Sequence, residues 1–234
     1  MYTAGMDEDM PRRLPGRRTE AARNDERILE AARAVFTADP QAPISAVADR
    51  AGVGISALYR RYQSKEELLQ RLSLDGLRRY LAEVEVALAD DGDPWEAFAA
   101  FMRRAVDADT SSLTLHLAGT FTPTEAHWRD GEKALQLNTR LLNRTKAAGD
   151  LRHEFEVGDL SLLFEQLAAI KVDDPERTRQ LRQRFLALLL DALRDTAAPP
   201  LPGPPPSWEE ISRRWERPPQ STPGRRVLIS DSAL

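Results

Sequence analysis

The chain has no cysteine among its 234 residues, which excludes a disulfide framework, thiolate catalysis and cysteine-ligated metal. Histidine is scarce: His116, His127 and His153 are the whole complement, and no two are spaced i, i+4 to place two ligands on one helical turn. Neither a metal site nor a cofactor is expected. No apolar run approaches the ~18 residues of a membrane span. The N-terminus is acidic and then arginine-rich, without the apolar core of a secretory signal. A cytoplasmic location without membrane association is expected. No segment alternates apolar and polar residues with period two, so a sheet is not expected. There is no phosphate-cradling GxxxxGK loop, no Gly-x-Ser-x-Gly elbow and no carboxylate pair set apart in apolar surroundings. The sequence therefore does not predict an enzyme.

The charge that is present is unevenly spread. The chain holds 33 Lys/Arg and 37 Asp/Glu, a net −4, and only 4 of the cations are lysines. Residues 10–65 carry 11 basic and 6 acidic side chains, a balance of +5 that leaves −9 for the rest. A basic module on an acidic body suits a protein that meets phosphates at one end; a solvated helical face with scattered charges gives the same numbers.

Within the basic region, residues 44–69 read ISAVADRAGVGISALYRRYQSKEELL. One apolar-patterned segment (Ile44, Val47, Ala48, Ala51) stops at Gly52, and a second carries Leu58, Tyr59 and Tyr62 beside Arg60 and Arg61. Two short helices joined by a glycine-containing turn of this length have the spacing of a helix-turn-helix, whose second helix enters the DNA major groove. Ahead of it lies an arm rich in Arg12, Arg13, Arg17 and Arg18. Mobile arginines of that kind reach into minor grooves or touch phosphates.

Helix punctuation organises the remainder. Asn24 is a suitable N-cap for a first helix whose apolar face is Ile28, Leu29, Ala32, Val35 and Phe36. Ser64 and Glu67 form a capping box for a long fourth helix. Asp93-Pro94, Thr122-Pro123 and Asp174-Pro175 each place a capping side chain before proline at a first helical position. Helices are predicted near 94–108, 111–118, 123–148, 158–171 and 175–195, giving an all-α fold. The expected division is a basic arm over 1–23, a helix-turn-helix domain over 24–63, a helical body over 64–196 and a proline-rich tail over 197–234. In that tail Trp208, Ile211 and Trp215 share one face of a short amphipathic helix.

RNDERILEAARAVF at 23–36 and AVADRAGVGISALYRRYQSKEELL at 46–69 resemble the DNA-binding domain of TetR-family transcriptional repressors. The resemblance implies three N-terminal helices that bind double-stranded DNA. It also implies a helical body that takes a small-molecule effector, and two final helices that pair two copies into a homodimer on a palindromic operator. It assigns the DNA surface to Ser45, Gly54, Ile55, Ser56, Tyr59, Arg60, Arg61 and Lys65, with Lys65 on a phosphate. It assigns the dimer interface to Phe164, Leu167, Leu181, Phe185, Leu188, Leu189 and Ala192. Two departures stand out: Pro43 and Ala57 occupy places where the family often has phosphate-binding threonines. They motivate a second reading, an interaction protein of the same fold without specific DNA binding. A helical enzyme is a third. For an effector pocket the candidates are Phe98, Phe101, Met102, His116, Phe121, His127, Trp128 and Phe164. For any one aromatic plain core is the favoured reading, and each histidine serves as easily as a partner for a backbone carbonyl.

Overall fold

The computed structural model describes residues 17–39, 41–108, 117, 119–194, 197 and 199–213. The described residues are helical and contain no strand: α1 (Arg17–Ala38), α2 (Ile44–Ala51), α3 (Ile55–Arg61), α4 (Lys65–Ala89), α5 (Pro94–Asp107), α6 (Glu125–Ala147), α7 (Val157–Ala169), α8 (Pro175–Arg194) and α9 (Trp208–Ser212). The helix expected over 111–118 lies outside the described residues except for Leu117, and the arm residues Arg12 and Arg13 and the tail residue Trp215 lie outside them altogether.

Most starts follow the capping chemistry. The Ser64 hydroxyl accepts the Glu67 N–H at 3.0 Å, and the Asp93 carboxylate accepts the Glu96 N–H at 2.9 Å with Pro94 in the first turn. Asp174 accepts from Glu176 N–H at 2.9 Å. Two starts differ from expectation. α1 begins at Arg17, not after Asn24. The run before Asn24 is rich in Ala, Arg and Glu, which favour helix, and one interior Asn costs only a few tenths of a kcal/mol, about 0.5. α6 begins at Glu125 with Thr124 as its N-cap, because the His127 imidazole closes on the Thr124 backbone N–H at 3.1 Å. Thr122 instead donates its N–H to Glu66 on α4 at 3.0 Å.

Two hydrophobic cores result, and α4 is common to both. Leu68, Leu69 and Leu72 from its first half join α1, α2 and α3 around Phe36, Val47 and Leu58. Leu81, Val84 and Ala87 from its second half join α5, α6, α7 and α8. At 25 residues α4 is about 37 Å long, enough to reach from one core to the other. Arginines close several helix ends: Arg144 donates to the carbonyls of Ala87, Leu88 and Asp90 at the end of α4, and Arg182 donates to those of Ala168 and Ile170 at the end of α7.

The tail lies back on the body. Arg152 donates to the Pro199 carbonyl, and the Pro206 carbonyl passes directly over Gly158 at the start of α7. The short α9 is closed by a reciprocal box between Ser207 and Glu210 and packs on α7, with Ile211 buried. Trp208 reaches toward Gly131 of α6 yet stays 44% exposed, so of the two described members of the expected apolar face Ile211 is the one enclosed.

Candidate nucleic-acid interface

The α2–α3 turn depends on one glycine. Gly52 takes φ +64°, a left-handed conformation that L side chains rarely adopt, and its N–H bonds back to the Asp49 carbonyl at 3.2 Å. Beside it, Arg27 of α1 donates to the Ala51 carbonyl at 2.6 Å, clamping the end of α2. Sequence reasoning missed Arg27, which carries no motif signal; only the tertiary approach of α1 gives it a role.

Leu58 and Tyr62 anchor α3 in the first core. That orientation turns Gly54, Ile55, Ser56, Tyr59, Arg60 and Arg61 to solvent, with Ile55 40% and Tyr59 47% exposed. Ser45, in the first turn of α2, is exposed as well. Pro43 precedes that helix without a side-chain cap. These seven exposed residues combine apolar, hydroxyl and guanidinium groups, the set that meets thymine methyls, phosphates and guanine edges.

The two arginines of α3 are not equivalent. Arg60 has no hydrogen-bond partner among the described residues. Arg61 makes a bidentate pair with Asp25 of α1, Nε to Oδ1 at 2.8 Å and Nη2 to Oδ2 at 2.9 Å. The Tyr62 hydroxyl donates to the same Oδ1 at 2.5 Å. The Arg61 guanidinium holds the Asp25 carboxyl below the usual carboxylate range, while burial, and then Asp25, push the Tyr62 hydroxyl up. Lys65 donates to the Ala42 carbonyl at 2.8 Å and lies over the Phe36 ring, 5.1 Å from its centroid. In this arrangement it joins the start of α4 to the loop ahead of α2. Arg17 and Arg18 open α1.

The effector candidates separate into three groups. Phe98, Phe101, Met102 and Phe164 are buried in the second core. There Tyr80, Phe101 and Phe164 meet edge to face, with centroids 5.6, 6.0 and 6.1 Å apart, and the Tyr80 hydroxyl donates to Asn138 at 2.9 Å. Phe121 and His127 lie elsewhere, at the junction of the two cores. Phe121 is fully buried in the first core, together with Leu117. The His127 Nδ1 accepts from the Thr124 N–H, so the proton belongs on Nε2, which donates to the Gln70 carbonyl of α4 at 3.1 Å. Burial holds this imidazole below its ordinary pKa. Gln70 in turn donates to the Thr122 carbonyl at 2.9 Å. Trp128 is 46% exposed on α6, and His116 lies outside the described residues.

The residues expected at a dimer interface also divide. Phe164 and Leu167 face inward, in the second core. Phe185 and Leu188 are 48% and 57% exposed, Ala192 is exposed, and Leu181 and Leu189 are half-buried. The inner face of α8 is made by Thr178, Arg182, Leu186, Leu190 and Leu193 instead. α8 is therefore apolar on two faces, one against its own body and one open.

Among the described residues no helix is long and apolar enough to cross a membrane. No curated protein matches the chain significantly. The family model for bacterial regulatory proteins of the tetR family matches residues 28–72, and that for the SbtR-like C-terminal domain of transcriptional regulators matches 93–195. A TetR transcriptional regulator from Streptomyces coelicolor is similar, with 26% identity over 73% of this chain and 98% of that one, at a TM-score of 0.55. A TetR regulatory protein from Mycobacterium vanbaalenii has 28% identity over 76% and 98%, at 0.54. The TetR-like regulator LfrR from Mycobacterium smegmatis, solved in complex with proflavine, shares the fold with 19% identity over 77% and 99%, at 0.59. Two family models covering the helix-turn-helix and the helical body, on a fold shared with these regulators, establish that the chain belongs to the TetR family of bacterial transcriptional regulators.

Proposed function

We propose that the protein is a ligand-responsive, DNA-binding transcriptional repressor that acts in the cytoplasm as a homodimer on a palindromic operator. The observation that carries the DNA reading is the outer face of α3, where Ile55, Ser56, Tyr59 and Arg60 stand exposed together while Leu58 and Tyr62 fix the helix from beneath. Arg60 is the base-reading candidate. A bidentate arginine–guanine contact supplies about 1–3 kcal/mol of discrimination. Arg12, Arg13, Arg17 and Arg18 would add phosphate or minor-groove contacts.

The open apolar stripe of α8, with Phe185 and Leu188 at its centre, supports pairing with a second copy. A two-fold dimer presents two recognition helices about one DNA turn apart, roughly 34–36 Å, or a small multiple of it. The response to an effector rests on the junction. A ligand that repacks α5, α6 or α7 would be felt through Phe121 and the His127–Gln70 and Thr122–Glu66 bonds, which tie the body to the DNA-binding half of α4. A neighbouring fold that binds proflavine gives a precedent for an organic effector.

The second reading, a same-fold interaction protein without specific DNA binding, is favoured by Pro43, which leaves α2 without a side-chain cap. Selection from a random duplex pool, followed by binding of the selected sequence at several salt concentrations, separates the two. Enrichment of a palindrome, with discrimination lost in Arg60→Ala, is the expected outcome; no enrichment leaves the second reading.

A further inference from the structure

The pair between Asp25 and Arg61 joins the first helix to the last turn of the recognition helix. Its geometry divides the guanidinium into two edges. The Nε and Nη2 edge is taken by both carboxylate oxygens, at 2.8 and 2.9 Å. The carboxylate is itself fixed from within by the Tyr62 hydroxyl. The acid is sheltered, 13% exposed, whereas the arginine side chain is 59% exposed, so the rest of the guanidinium faces out. Both Nη1 hydrogens and the second Nη2 hydrogen remain. Together they form an end-on fork of the shape that meets the N7 and O6 acceptors of guanine.

An unsupported arginine at this place would sample many rotamers and lose that freedom on binding. A planar, bidentate carboxylate removes most of the freedom beforehand, so less is lost on contact. We propose that Asp25 is a positioning residue for DNA recognition, holding Arg61 so that its outer edge presents a pre-set fork to a guanine in the major groove. The proposal rests on the DNA-binding reading above. It also changes the role of Arg61 relative to Arg60: Arg60 is a flexible reader and Arg61 a braced one.

A competing arrangement follows from the same contact. If Asp25 merely withdrew Arg61 from DNA, removing the acid would strengthen binding to every duplex. A phosphate contact by Arg61 would likewise act on all sequences alike, whereas a braced base contact acts on the selected sequence alone.

The test uses the full chain and fluorescence anisotropy with two probes: the duplex enriched by the wild type from a random pool, and a scrambled duplex of the same composition. Asp25→Ala is expected to lower the ratio of selected to scrambled affinity roughly three- to tenfold. The same substitution in an Arg61→Ala background is expected to change the ratio no further. Asp25→Asn, which keeps one acceptor oxygen, is the variant to use if the alanine chain does not fold, with a drop of about twofold expected. An unchanged or raised ratio overturns the proposal, as does an equal drop in the Arg61→Ala background, which would mark a structural effect of α1. A wild type that enriches no sequence overturns the DNA reading itself; a wild type that does so, with Asp25 variants unmoved, overturns only the bracing role.

Discussion

Replacing Phe121 with alanine should destabilise the first core, around α1 to α3, although Phe121 follows α5 in sequence. The side chain has no solvent exposure and is enclosed with Phe36, Leu58, Leu68 and Leu72. Its ring also lies 5.3 Å from that of His127. Truncating a fully buried phenylalanine costs about 3–5 kcal/mol, because the cavity closes only in part. That is a large share of a total stability of about 5–15 kcal/mol. For a chain of this size, each kcal/mol lowers Tm by about 2–4 °C, so a drop of roughly 6–20 °C is expected. Thermal denaturation followed by circular dichroism measures the drop. Hydrogen exchange locates it, and amides of α1 to α3 and the first half of α4 should exchange faster. A Tm change under about 3 °C, or faster exchange confined to α6, would refute the assignment of Phe121 to the first core.

Three further expectations concern other parts of the molecule. Because burial lowers the His127 pKa, the folded chain binds fewer protons here than the unfolded one, whose imidazole titrates near ~6.5; the stabilisation is complete above that pH and is lost as the pH falls through the folded value. Tm should therefore fall less in His127→Gln than in wild type on going from about pH 7.5 to 5.5, a window above that in which Asp25 titrates. Phe185→Glu places a charge at the centre of the open α8 stripe and should yield monomers by sedimentation; an unchanged dimer would move the interface elsewhere. Ile211→Asp should release the tail, seen as loss of exchange protection over 203–213, and protection that persists would mean that Ile211 is not the anchor.

Much of the helix punctuation was legible because its signals are local. A glycine must occupy the left-handed position after α2, and Ser64 and Asp93 cap helices by contacts within four residues. The same locality led to the wrong start for α6: Thr122-Pro123 is a plausible cap, but the imidazole of His127 selects Thr124, and Glu66 of α4 draws Thr122 away. Arg60 and Arg61 look alike in sequence; Asp25, a first-helix residue, makes them different. Phe121 and His127 have the aromatic and imidazole character of pocket residues, and only the approach of residues 121–127 to α4 places them at the junction. On α8 the residues of the open stripe were singled out and those of the buried one were not, since both repeat at helical spacing.

The crossing of Pro206 over Gly158 has a thermodynamic meaning beyond its geometry. Six of the eight residues from 199 to 206 are prolines, whose rings hold φ near −65°. Such a segment is already extended before it docks, so the usual ordering cost of ~1–2 kcal/mol per residue is much reduced. A small attraction then suffices: one enclosed isoleucine and a half-covered tryptophan hold the strap in place. Small attractions are also easily cancelled. A Cβ on residue 158 would overlap the Pro206 carbonyl, a backbone atom that cannot turn aside. The bond between tail and body is thus gated by a missing methyl group on α7, and Gly158→Ala would detach the tail without altering a single tail residue.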